Sequence, residues 1–361
     1  MPIMTDHAAQ VIGGVDTHGH SHHAAVVDTL GRQLADKEFP ANRAGYRSLE
    51  RWLRSHGTVL AVGVEGTGAY GAELARTLTQ AGLRIVEVDR PDRKTRRRHG
   101  KSDPIDAYAA ATAVTSGRAA GTPKTRGGMV EAIRALRVPY RSAIKARTQA
   151  INQARQLLVT APEALRAALR DRSATDLAHA CARLRPADLT DPTSATKAAL
   201  RRLGRRILAL NEEIDELKIA LHDLTARTAP DLLELQGVGP DVAGQLLATA
   251  GDNPDRLRSE AAFAHLCGAA PIPASSGRKD RHRLNRGGDR AANRALHTIV
   301  LCRMRWDPRT RTYVQRRTQQ GLAKKEIMRC LKRYVAREVY KILTTPPRST
   351  SNPTPSHAET A

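Results

Sequence analysis

The stretch VIGGVDTHGHSHHAAVVD, Val11 to Asp28, decides how the chain is read. Two short runs rich in β-branched residues, VIGGVD and HAAVVD, flank a histidine-dense connection, which is the pattern of two adjacent strands. Four histidines (His18, His20, His22 and His23) raise the question of an imidazole metal site. On a strand they would alternate faces, so only some could converge, and no Cys/His cluster nearby completes a tetrahedral shell. The segment is therefore a polar hairpin turn, and its chemical content reduces to Asp16, a carboxylate standing where a buried strand ends.

Working outward, GRQLADKEF offers a turn and a third strand, and RAGYRSLERWLRSH has helical spacing at Tyr46, Leu49, Trp52 and Leu53. TVLAVGVEGTG is a buried strand ending in glycine, GAELARTLTQAG a helix closed by Gly82, and LRIVEVD a further strand. The predicted order is β-β-β-α-β-α-β. Three sequential strands followed by helix-linked strands describe a ribonuclease H-like (RuvC-like) mixed sheet, antiparallel first and parallel afterwards.

The charge is unevenly spread. The 361 residues carry 59 Lys+Arg against 36 Asp+Glu, a formal net charge of +23. Residues 1–89 hold 8 basic and 10 acidic side chains, leaving 51 against 26 for the remainder. That excess is the footprint of a polyphosphate partner. Aromatics at 3% argue against stacking as the main mode of nucleic-acid readout, so arginine must make most contacts. No secretory segment, apolar span or lipidation motif is present, and a cytoplasmic protein without membrane partners, nucleoid-associated when acting, is expected. Four widely spaced cysteines (Cys181, Cys267, Cys302, Cys330) are expected as buried reduced thiols.

Beyond the first sheet comes a basic loop, RPDRKTRRRHGKSD, whose Arg96, Arg97, Arg98 and Lys101 are expected to touch nucleic acid. Its GKS is not a phosphate-binding Walker loop, because Thr95 stands where that motif needs its first glycine. Helices are predicted from Met129 to about Leu158 and from about Thr193 to Thr228. The second places Leu203, Ile207, Leu210, Ile214, Leu217, Leu221 and Leu224 at alternating spacings of four and three, the heptad seam of a coiled coil. The first has a looser seam (Ile133, Leu136, Tyr140, Ile151, Ala154, Leu158), so the two could pair within one chain or between chains. LLELQGVGPDVAGQLLATAGD reads as helix, Gly-Val-Gly turn, helix, resembling a helix-hairpin-helix in which Gly237 and Gly239 let backbone N–H groups approach a phosphate. The expected organisation is an α/β RuvC-like domain at 9–125, a helical coiled-coil region at 126–228, an α-helical C-terminal domain at 229–344 and a disordered tail at 345–361.

Three more carboxylates stand in suggestive places. Glu65 ends the fourth strand. Asp103 and Asp106, in GKSDPIDAYAAATA, lie three apart at a helix start, where Asp103 could simply be the N-cap ahead of Pro104. The same spacing puts both on one helical face, beside the sheet edge where Asp16 and Glu65 end. Four carboxylates at one point would repel unless divalent cations sat among them, and hard oxygen ligands with phosphate chemistry point to Mg²⁺ or Mn²⁺.

The set Asp16, Glu65, Asp103 and Asp106 resembles the tetrad of the DEDD transposases of the IS110 group of insertion sequences, bridge-RNA-guided recombinases with a RuvC-like nuclease domain. The block FAHLCGAAPIPASSGRKDRHRLNRGGDRAANRALH is similar to the C-terminal transposase domain of that family, and the resemblance runs from about Val11 to Leu343. It implies a serine nucleophile at Ser276, before Gly277, with Ser275 one residue away. Lys279, Arg281, Arg283 and Arg286 would hold phosphates around it. It also implies donor and target double-stranded DNA and a structured noncoding guide RNA as partners, and a homodimer that becomes a tetramer on paired DNAs. The alternative reading is a RuvC-like nuclease that hydrolyses junction DNA with water and needs the acids but not Ser276.

Overall fold

The computed structural model describes residues 9–88, 102–275, 277 and 282–345. They form two compact units: one comprises the described residues up to Arg126 with Asn253–Arg256, the other those of Gly127–Asp252 and from Leu257 onward.

The first unit is built on a five-stranded sheet. β1 (Gln10–Thr17), β2 (Ser21–Asp28) and β3 (Gln33–Pro40) form an antiparallel meander, followed by α1 (Arg43–Ser55), β4 (Thr58–Glu65), α2 (Ala72–Gln80) and β5 (Ile85–Val88). The spatial order is β3-β2-β1-β4-β5, with β1–β4 and β4–β5 parallel. This is the mixed sheet expected from the sequence, and β1 lies at its centre.

The two faces of β1 do different work because alternate side chains point to opposite sides. Val11 and Val15 pack with Leu49 and Leu53 of α1 and Leu74 and Leu78 of α2, all buried. On the other face Ile12 packs with Ala111, Tyr108 and Val114 of α3 (Asp103–Thr115). Gly14 of β1 pairs in register with Gly63 of β4, and together they clear the ground beneath α3. A Cβ on Gly14 would lie 2.2 Å from the Ala107 carbonyl oxygen and 2.3 Å from the Ala111 nitrogen, and one on Gly63 would lie 2.7 Å from the Ala110 carbonyl oxygen. With no side chain at either position, α3 rests its alanine face directly on the sheet.

The second unit is helical. α4 (Met129–Val159) and α7 (Pro192–Thr228) are its longest elements and pack against each other within the one chain. Leu200, Ile207, Ile214 and Leu221, one every seventh residue, are buried, while Leu203, Leu210, Leu217 and Leu224 are half-buried. Ala143, Ala150 and Ala154 give α4 a small-residue face, and Arg147 donates to Asn211 Oδ1 at 3.1 Å across the pair. Between them run α5 (Glu163–Leu169) and α6 (Ala174–Ala182). Then come α8 (Pro230–Glu234), α9 (Pro240–Ala250), α10 (Glu260–Leu266), the two-residue strands β6 (Ile272–Pro273) and β7 (His282–Arg283), α11 (Arg290–Trp306), α12 (Pro308–Gln319) and α13 (Lys324–Thr344). Their core gathers Ile133, Leu221, Leu246, Phe263, Leu296, Ile299 and Val339 around α9 and α11. The four cysteines are free; Cys181 and Cys267 are buried and Cys302 and Cys330 half-buried. Burial pushes the Cys181 thiol up to about 11 and that of Cys267 to about 12, so both stay protonated.

Candidate metal centre and nucleic-acid interface

The register that puts Gly14 and Gly63 under α3 also aims the acids. Two residues further along each strand, on the same face, stand Asp16 and Glu65. Thr17 ties the two strand ends together by donating to the Glu65 carbonyl oxygen at 2.8 Å. Gly66 then takes φ +72°, which turns the chain away immediately after the carboxylate. α3 begins beside them. Its N-cap is Ser102, in extended conformation, so Asp103 is the first helical residue and not the cap, as capping alone would have had it. Its carboxylate is thereby left available, and both acids of the first turn sit at the positive end of the helix dipole.

Asp16, only 6% exposed, Asp103 and His18 bring one ligand atom each within 4.8 Å of one another. His18 Nε2 is 3.0 Å from Asp16 Oδ2 and 3.3 Å from Asp103 Oδ1. One imidazole and two carboxylates from a strand end and a helix start suit a divalent cation. Asp106, one turn along α3 from Asp103, is buried (2% exposed) and Glu65 half-buried; neither is one of this trio. The structure therefore assembles two of the four expected acids with one histidine that the sequence had assigned to a turn.

The other histidines of the opening stretch do not join this trio. His22 is buried with its ring stacked on Tyr46, centroids 5.5 Å apart, and burial pushes its pKa below the ordinary value of 6.5. His23 bonds Asp36 at 2.7 Å, and His20 is exposed. The signal for His18 was present all the same: Asp-x-His at strand spacing puts both side chains on one face.

In the second unit the expected contacts divide. Gly237, at φ +85°, lies against α11, where a Cβ would come 3.1 Å from Cys302 Cβ and 3.2 Å from the Ile299 carbonyl oxygen. Packing accounts for this glycine. Gly239 is the N-cap of α9 and faces open space. Ser275 and Gly277 are exposed in the connection between β6 and β7, whose strands pair antiparallel, and Arg283 and Arg286 are exposed after it. Ser276, Lys279 and Arg281, like Arg96, Arg97, Arg98 and Lys101 of the basic loop, lie outside the described residues.

A five-stranded mixed sheet of this order is consistent with a ribonuclease H-like domain, and known proteins agree. A family model for DEDD transposases of the IS110 type matches residues 13–161, and the transposase IS116/IS110/IS902 family model matches residues 229–315, together about two thirds of the chain. The protein of Streptomyces coelicolor assigned as the mini-circle transposase for IS117 is 28% identical over 335 residues, covering 76% of this chain and 80% of its own length. A 42 kDa protein of insertion element IS900 from Mycobacterium paratuberculosis is 30% identical over 123 residues, 33% of this chain and 31% of its own. A 43.6 kDa protein of insertion element IS110 from Streptomyces coelicolor is 33% identical over 135 residues, 37% of this chain and 31% of its own. The chain belongs to the IS110 family of DEDD transposases, enzymes that cut and rejoin DNA. Among the described residues no helix is long and apolar enough to cross a membrane.

Proposed function

We propose that the protein is an RNA-guided DNA recombinase that moves an insertion sequence, cutting and rejoining donor and target DNA through a phosphoserine. The observation that carries this reading is the meeting of Asp16, His18 and Asp103 at the end of the central strand, in a chain of a transposase family. Asp16, Glu65, Asp103 and Asp106 are its metal-site acids, and His18 joins them. A divalent cation bound there, Mg²⁺ or Mn²⁺, would neutralise charge on the reacting phosphate and favour ionisation of the attacking oxygen.

Ser276 is the nucleophile. Its Oγ attacks the scissile phosphorus, the bond to the departing sugar oxygen breaks, and that oxygen leaves with a proton. The phosphoserine ester keeps the bond energy, so a second sugar hydroxyl reseals the strand by the reverse displacement without a nucleotide cofactor. Lys279, Arg281, Arg283 and Arg286 hold neighbouring phosphates, with Arg96, Arg97, Arg98, Lys101 and the backbone at Gly237 and Gly239 as further contacts. Sequence choice falls to base pairing with a guide RNA, which fits a chain rich in arginine and poor in aromatics. The working assembly is a dimer that forms a tetramer on paired DNAs.

The test is recombination between plasmids carrying donor and target sites, with and without the RNA transcribed from the element's noncoding flank. Joined products are expected only when the RNA and Mg²⁺ are both present, and EDTA should abolish them. Products formed equally well without RNA would remove guidance from the account.

A further inference from the structure

A cleft of about 740 Å³ lies in the helical unit, between the backbone of Gly268–Pro271, the start of the segment after β7 and one face of α13. Its cations include Arg283, Arg329, Lys332 and Arg333; the acid among its lining residues is Glu326. Glu326 is turned away to accept the Ala323 backbone N–H at 2.9 Å. Arg333 is held by Glu260. Arg283 and Arg329 are exposed, and no carboxylate among the described residues pairs with either.

The floor is built, not incidental. Lys332, 8% exposed, donates to Asn293 Oδ1 at 3.0 Å, and Asn293 Nδ2 donates to the carbonyls of Cys267 and Gly268 at 2.9 Å each. Burial and the neighbouring charge of Arg329 both depress the Lys332 ammonium. Two cations this close, with no carboxylate on them among the described residues, are costly unless an anion arrives beside them. Beside them stands Tyr334, 45% exposed, its ring fixed edge-on against Tyr313 with centroids 5.7 Å apart. In a chain with only 3% aromatics, an exposed and braced tyrosine next to these cations is a local stacking platform.

We propose that this cleft grips an unpaired stretch of the DNA strand, one base stacked on Tyr334 and its phosphates held by Arg329, Lys332 and Arg283. The ring can take a base only out of the duplex stack, which selects a displaced strand over a paired one. DNA as the source of that strand rests on the recombinase reading above.

The test uses the full chain in EDTA, so that binding is read without cleavage, by fluorescence anisotropy with labelled oligonucleotides of about ten nucleotides. Tyr334→Ala and Arg329→Ala should each weaken binding of single-stranded DNA by about tenfold or more, while Tyr334→Phe keeps it. Duplex of the same sequence should be held almost equally by wild type and variants. Single-stranded affinity unchanged in both alanine variants would overturn the proposal, as would an equal loss for duplex, or a loss confined to RNA of the same sequence. Failure of the phosphoserine mechanism would leave this binding result untouched, so the two ideas fail separately.

Discussion

The sheet unit and the helical unit are built on charge in opposite ways. The first 89 residues hold nearly balanced charge, and their chemistry depends on where two strands end. The three helices α11 to α13 hold 15 Lys+Arg against 2 Asp+Glu, and their chemistry is the summed field of many side chains. The lesson is that a site made by register should fail all at once, whereas a surface made by charge should weaken by degrees.

The sharpest break of that contrast is Asp16→Asn, which removes a ligand charge at nearly constant shape. Strand cleavage should fall by about a thousandfold or more, the equivalent of several kcal/mol of transition-state stabilisation. Thermal stability and RNA binding should remain. His18→Ala, which spares both carboxylates, should cost less; cleavage within tenfold of wild type for Asp16→Asn would mean that the sheet end is not the centre of the chemistry.

The helical unit has its own positional element, the pairing of α4 with α7. Leu221→Ala removes a side chain that is 1% exposed and should destabilise the unit by about 2–5 kcal/mol in denaturant titration. If the loss is below about 0.5 kcal/mol, as for a surface position, the seam is not a packed core.

Gly14→Ala tests whether the small-residue contact positions the acids. Its methyl would meet the Ala107 carbonyl and the Ala111 nitrogen, forcing α3 outward at a cost of about 1–3 kcal/mol. Because α3 carries Asp103 and Asp106, Mn²⁺ affinity measured by calorimetry should fall together with the melting temperature. A fall in stability with undiminished metal affinity would show that α3 position and site geometry are independent.

The smallest effect concerns pH. The pKa of His22 is depressed in the fold by burial, so between that depressed value and 6.5 the unfolded chain binds a proton that the folded chain refuses. Stability should therefore drop as pH falls below about 6.5. His22→Phe, which keeps a ring against Tyr46, should flatten that slope; an unchanged slope would assign the dependence to other groups.

Much of the sheet unit was legible because its signals are local. Alternation in β1 and β2, the glycine after Glu65 and the helical spacing around Leu49 each act within a few residues. The long helices were legible for the same reason. What the sequence hid depends on contacts between distant segments. The pairing of Gly14 with Gly63 needs the parallel neighbour of β1 to be known. The role of His18 needs the start of α3 to arrive beside the turn, and Gly237 owes its place to α11. A one-residue shift of the cap from Asp103 to Ser102 separates a structural carboxylate from an available one.

The central claim is that the chain's own oxygen takes over the DNA strand. Labelled donor DNA is incubated with protein, RNA and Mg²⁺, resolved by denaturing electrophoresis, and any shifted band is mapped by peptide. Wild type should give a protein–DNA adduct mapping to Ser276 as a phosphoserine; Ser276→Ala should bind RNA and DNA but form none, and Ser275→Ala should retain it. Cleaved DNA migrating free of protein, with Ser276→Ala cutting as well as wild type, would contradict the account and leave a metal-dependent nuclease that uses water.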